Sequence, residues 1–118
     1  MAEIDRLLAE ARSVIAPRAT VADLTDTDVL IDIRPVEQRE RDGVFPGAIL
    51  IDRNVLEWRL DPASPHRLRE LDDVAGRLVI ICNEGYASSL AAATLRQIGL
   101  PRATDLDGGF RAWMHAQG

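Results

Sequence analysis

A chain of 118 residues with one cysteine has no internal disulfide, and the lone thiol of Cys82 fits a reducing cytoplasm. Histidine is also scarce. His66 and His115 lie far apart with no metal-ligand spacing around them, so no metal is expected and surface or capping roles are the default. No cofactor motif stands out, and none is expected to be needed. No apolar run approaches the length of a membrane-crossing helix. Basic clusters are missing as well: 14 basic against 19 acidic residues give a net charge of −5. Nucleic acid and anionic membrane are therefore poor partners. The start, Met1–Ala2–Glu3–Ile4–Asp5, lacks the charge and apolar core of a signal peptide, in keeping with a cytoplasmic location. There is no repeat and no low-complexity tract, and 47% hydrophobic with 28% charged residues is the balance of one globular domain.

What is present is organised around Leu78–Val79–Ile80–Ile81–Cys82–Asn83–Glu84–Gly85–Tyr86–Ala87–Ser88–Ser89. An unbroken apolar run bounded by turn signals suits a strand buried on both faces of a parallel sheet. Cys82 then sits at the carboxyl end of that strand, on a glycine-bearing loop that leads into a helix over about Ser88–Ile98, closed by Gly99 and Pro101. Open α/β sheets build their sites at that edge. A loop wrapped before a helix N-terminus points free backbone N–H groups inward and carries partial positive charge. Such a place favours an anion, either a bound oxyanion or the thiolate itself, and the thiolate is the nucleophile. A free cysteine elsewhere often serves as a small buried hydrophobe; the strand end, glycine loop and helix start together point to chemistry.

Apolar residues at helical spacing predict an amphipathic helix over 3–15, a packing or dimerisation helix that Pro17 ends. Thr20–Val21–Ala22–Asp23 resembles a capping box with Asp in the place of Glu. Val29–Arg34 is a second buried strand, followed by a helix that Pro35 opens. Asp32 and Arg34, two apart on one side of the strand end, are read as a structural ion pair rather than as catalytic groups. Ala48–Ile51 and Ala103–Leu106 are further short strands, and Phe110 and Trp113 lie on the core face of a closing helix. Between them, Leu56–Leu60 suits a helical turn, and Arg59 is the first choice for an arginine that reaches an anionic substrate from the 53–69 segment. Strands alternating with helices give a parallel, doubly wound sheet.

Three stretches resemble one family. Leu30–Arg34 with Phe45–Pro46–Gly47–Ala48, the loop Cys82–Ser88, and Leu106–Asp107–Gly108–Gly109–Phe110–Arg111–Ala112–Trp113 are similar, in order, to the motifs of rhodanese-like domains. The resemblance implies an α/β single-domain fold with a five-stranded, mainly parallel sheet and helices on both faces. It divides the chain into an N-terminal helix over 1–17 and a rhodanese-like domain over 18–118. It implies a sulfurtransferase in which Cys82 becomes a persulfide, taking sulfane sulfur from thiosulfate or a persulfide and passing it to a thiol or cyanide. Asn83, Glu84, Gly85, Tyr86, Ala87 and Ser88 form the substrate-binding loop, whose amides hold developing negative charge. The partners expected are a small sulfur donor and a small-molecule or protein thiol acceptor.

The loop departs from the family pattern. Many active members carry arginine just after the cysteine and five residues after it, where this chain has Asn83 and Ala87. Glu84 adds an acid. These changes motivate the alternative of a non-catalytic binding or sensing module. Related phosphatases place arginine six residues after the cysteine; here that residue is Ser88, which argues against a phosphatase.

Overall fold

The computed structural model describes residues 2–118. The chain runs α1 (Glu3–Ile15), β1 (Val29–Asp32), α2 (Val36–Asp42), β2 (Ile49–Leu50), α3 (Leu56–Leu60), β3 (Leu78–Ile81), α4 (Ala87–Gln97), β4 (Ala103–Asp105) and α5 (Gly109–Ala116), with short 3-10 turns at Val21–Asp23, Arg53–Val55 and Arg69–Leu71. The sheet order is β2-β1-β3-β4 and every pair is parallel. β3 lies at its centre and is buried along its whole length, which is why its sequence is continuously apolar rather than alternating.

Successive residues of β3 face opposite sides. Leu78, Ile80 and Cys82 join one core with Ile15, Leu56, Ala91, Ala92 and Leu95. Val79 and Ile81 join the other with Ala19, Phe45, Leu106 and Phe110, against which Trp113 packs. Phe45, Phe110 and Trp113 meet as an aromatic cluster, with ring centroids 4.6–6.3 Å apart. The sheet thus carries helices on both faces, and Cys82 emerges at the carboxyl edge of its central strand.

The expected fifth strand is not formed; the sheet has four strands. Its place is taken by a single parallel bridge between Ala19 and Leu106. Ala19 N–H donates to the Asp105 carbonyl at 2.9 Å, and its carbonyl accepts from Asp107 N–H at 2.8 Å. Pairing stops there because Pro17 has no N–H to extend it, and Thr20 is already committed to the capping box of the Val21–Asp23 turn.

Asp32 and Arg34 form the structural pair that their spacing suggested. Arg34 donates through Nε and Nη2 to Asp32 at 2.8–3.2 Å and through Nη2 to the Gly43 carbonyl at 2.9 Å. Its guanidinium lies 3.8 Å from the centre of the Phe110 ring, so the buried cation is held by a carboxylate, a carbonyl and an aromatic face.

At the opposite edge Arg77 grips Asp28 through two hydrogen bonds of 2.8 and 2.9 Å and joins the starts of β1 and β3. The Arg77 hydrogen bond, aided by Thr25 N–H, holds the Asp28 carboxyl below its ordinary value of 3.8. A depressed carboxyl stabilises the fold fully above its unfolded value, and the contribution is lost as pH falls through the lower folded value. Asp28→Asn is therefore expected to be about 1 kcal/mol less stable than wild type at neutral pH, the gap closing in acid as pH falls through the lowered folded value. Thermal melts at neutral and acid pH check this; a gap independent of pH contradicts it.

Candidate active site

The β3–α4 connection wraps around one sulfur atom. Cys82 Sγ accepts hydrogen bonds from the backbone N–H of Gly85 at 3.1 Å and of Ser88 at 3.3 Å. The second donor belongs to the first turn of α4, whose unpaired amides carry the positive end of the helix dipole. The thiol donates to Ser88 Oγ at 3.2 Å. Cys82 is 8% exposed, so the sulfur sits at the base of its site rather than on the surface.

Glycine is required at position 85. Its φ is +90°, and an added Cβ would stand 2.9 Å from Gly108 N. The closing segment completes the loop from the other side: Phe110 N–H donates to the Cys82 carbonyl at 2.9 Å and Arg111 N–H to the Asn83 carbonyl at 3.0 Å. The first amides of α5 therefore satisfy the carbonyls of the very residues that present the sulfur.

Behind the loop lies a buried polar cluster. Asp105, at the end of β4, accepts the hydroxyls of Ser88 and Ser89, each at 2.7 Å. Arg18 grips the same carboxylate through Nε at 2.8 Å and Nη2 at 3.1 Å. Burial alone would lower the basicity of Arg18, but the Asp105 hydrogen bond and the charges of Asp105 and Asp107 outweigh it, so the guanidinium is held above its ordinary value. Arg12 of α1 reaches the same place, donating to the Gly85 carbonyl at 2.8 Å and to Ser89 Oγ at 3.2 Å.

In front of the sulfur is an open depression of about 440 Å³, lined by Ile33, Arg34, Pro35, Gln38, Arg53, Asn83, Glu84, Tyr86 and Ala87. Most of this wall is apolar or neutral. Arg34 is spent on Asp32, and Arg53 is paired with Glu57 at 2.8 Å. Glu84 is exposed and stands 3.8 Å from Arg111.

The six loop residues named from sequence divide into two sets. Gly85 and Ser88 touch the sulfur, whereas Asn83, Glu84, Tyr86 and Ala87 line the depression. Arg59 is not at this site. It donates to the His66 carbonyl at 2.7 Å and lines a separate cavity at the amino end of the sheet, beside Leu78 and Leu100. The arginine of that segment that faces Cys82 is Arg53. Arg12, Arg18 and Asp105 were not singled out in the sequence. The one available signal was Arg12 beside the buried apolar stripe Ala11–Ile15, a charge on the packing side of α1. No group of residues suited to a metal occurs among the described residues.

The family model for the rhodanese-like domain matches residues 17–116. A curated relative, the adenylyltransferase and sulfurtransferase MOCS3-2 of Zea mays, is 30% identical over 112 residues, covering 95% of this chain but 23% of the relative. The chain thus spans under a quarter of that larger protein. Among solved structures, a protein of unknown function from Rhodopseudomonas palustris, described as a possible tyrosine phosphatase, is 35% identical with a TM-score of 0.87, covering 98% of this chain and 91% of that one. A rhodanese-related protein from Thermoplasma volcanium has a TM-score of 0.61 at 24% identity, covering 84% of this chain and 91% of that one, a likeness of fold.

Proposed function

The chain belongs to the rhodanese-like domain family, and on that premise we propose that it is a sulfurtransferase acting through a Cys82 persulfide. The observation that carries the reading is the sulfur itself: the chain's one cysteine, held by the amides of Gly85 and Ser88 at the floor of an open depression. The Cys82 thiolate attacks the outer sulfur of a sulfane donor. The donor's S–S bond breaks and its electron pair leaves with sulfite, from thiosulfate, or with a thiolate, from a persulfide. Cys82 keeps the transferred sulfur as Cys82–S–S⁻, whose charge the loop amides receive. An acceptor thiolate or cyanide then takes the outer sulfur and returns the Cys82 thiolate. The test is thiocyanate formation from cyanide with thiosulfate and with a small-molecule persulfide as donors. Turnover with at least one donor is expected; none with either overturns the proposal.

A phosphatase reading has support in the description of the R. palustris neighbour. The site does not favour it. Ser88 stands six residues after the cysteine, where related phosphatases carry arginine, and its hydroxyl is spent on the Asp105 carboxylate, so that position offers an oxyanion no cation. Aryl phosphate hydrolysis is expected to be absent. A non-catalytic binding module is the other alternative; it requires a partner held equally well when Cys82 is removed.

The depression also bears on the donor. With its arginines paired to Asp32 and Glu57, it offers a dianion little free positive charge, so a persulfide donor is favoured over thiosulfate. Ala87 is exposed on the wall, whereas Asn83 is buried, so an arginine fits at 87 and not at 83. A charge-assisted hydrogen bond contributes about 1.5–3 kcal/mol in favourable cases. Ala87→Arg is expected to raise kcat/KM for thiosulfate about tenfold or more, with the gain shrinking at high salt. Steady-state kinetics at two ionic strengths check this; an unchanged rate refutes it.

A further inference from the structure

The loop arginines absent at 83 and 87 have counterparts that arrive from behind. Arg12 Nη2 and Arg18 Nη2 both donate to the carbonyl of Gly85, at 2.8 and 3.0 Å. A trans peptide is planar, with its N–H opposite its C=O. Two cations on the Gly85 carbonyl therefore turn the Tyr86 N–H the other way, away from them. That N–H has no hydrogen-bond partner among the described residues. Cations on the carbonyl also polarise the peptide, which makes the N–H a better donor to an anion.

The charges around the sulfur can be taken element by element. At the end of β1, Arg34 is matched by Asp32. Across the depression, Arg53 is matched by Glu57. Glu84 of the loop faces Arg111 of α5. Arg18 is shared between Asp105 of β4 and Asp107 beyond it. Tyr86 lies under Arg12, whose guanidinium is 5.5 Å from the ring centre. Arg12 has no carboxylate partner among the described residues. It is thus the uncompensated cation of the site, and it is carried by α1, which precedes the residues matched by the family model.

We propose that Arg12 and Arg18 are positioning residues that supply the positive charge the loop itself lacks. They pin the Gly85–Tyr86 peptide by its carbonyl, and Arg18 also cancels the Asp105 carboxylate that reaches Cys82 through Ser88. α1 is then part of the reactive site and not a packing helix alone. The inference rests on Cys82 being the nucleophile, but its test does not require sulfur transfer.

The test is the rate of Cys82 alkylation by iodoacetamide across pH, for wild type, Arg12→Gln, Arg12→Lys, Arg18→Gln and Asp105→Asn. A nearby opposite charge favours the anion, so removing it slows the reaction where the thiol is only partly ionised. Arg12→Gln is expected to slow alkylation several-fold at neutral pH and not at all where the thiol is fully ionised. Arg12→Lys recovers part of the loss, since it keeps the charge and loses the planar fork. Arg18→Gln slows it about tenfold at neutral pH, and Asp105→Asn, which removes a negative charge, speeds it. Arg12 is half-buried and, unlike Arg18, has no carboxylate partner among the described residues to leave unpaired, so its variants serve if the Arg18 variant does not fold. Wild-type rates in both Arg12 variants overturn the proposal. So does a fall that is equal at all pH values, since that reports altered access rather than charge. Failure of every sulfur donor with these alkylation profiles intact would remove the sulfurtransferase reading and leave this one.

Discussion

Cys82→Ser is expected to abolish sulfur loading and transfer while leaving the fold in place. Serine is close in shape, and the Gly85 and Ser88 amides that donate to sulfur are equally able to donate to a hydroxyl oxygen. The stability change should stay within about 1 kcal/mol. Chemistry is another matter. A hydroxyl ionises far less readily than a thiol, and no base is placed to activate it: the hydroxyl of Ser88 is already directed at Asp105. Nor does an oxygen hold sulfane sulfur in a comparable bond. A loss of at least about a thousandfold in transfer to cyanide, about 4 kcal/mol of barrier, is the least expected. Thiocyanate formation measured beside a thermal melt separates the two effects. Retained transfer would place the chemistry elsewhere, and a collapsed melt would show that the thiol is mainly a packing residue.

Gly109→Ala is expected to have the largest effect on the fold. The residue has φ +62°, and an added Cβ would stand 2.5 Å from the Cys82 carbonyl oxygen and 2.8 Å from the Asn83 carbonyl carbon and oxygen. All are backbone atoms with no side-chain freedom to move aside. The same turn brings Phe110 N–H to the Cys82 carbonyl and Arg111 N–H to the Asn83 carbonyl. Relief of the clash must push α5 away from the loop, break those hydrogen bonds and disturb the Phe45–Phe110–Trp113 cluster. Positive-φ strain of about 1–3 kcal/mol adds to these losses, so destabilisation of about 4 kcal/mol or more is expected, a large share of a small domain's stability. Chemical denaturation reads it directly. A near-normal midpoint would show that the close approach at Gly109 is not needed.

The fold was legible where local pattern and tertiary role agree. The apolar run 78–81 is buried on both faces, and the helix after it starts and stops within a residue of the expected positions. The capping box at Thr20 and the Asp32–Arg34 pair act over a few residues, which sequence spacing reveals. The fifth strand failed because a resemblance to a family carries a strand count, whereas pairing depends on which N–H groups this chain has free around Pro17. The loop was legible as a motif, since Cys82, Gly85 and Ser88 are close in sequence. Its rear was not: Arg12, Arg18 and Asp105 are brought to Gly85 and Ser88 from 17 to 73 residues away. Arg59 was misplaced for the same reason, since nothing in the 53–69 segment tells which arginine turns toward the carboxyl edge of the sheet.

The most direct measurement is the intact mass of the protein after brief exposure to a small-molecule persulfide, followed by removal of the donor and mapping of the modified residue. The account predicts a gain of one sulfur atom, carried by Cys82. With no second cysteine in the chain to resolve it, that sulfur should stay on the isolated protein and leave when cyanide or glutathione is added. A folded protein whose Cys82 alkylates readily yet gains no sulfur from persulfide or thiosulfate would contradict the account.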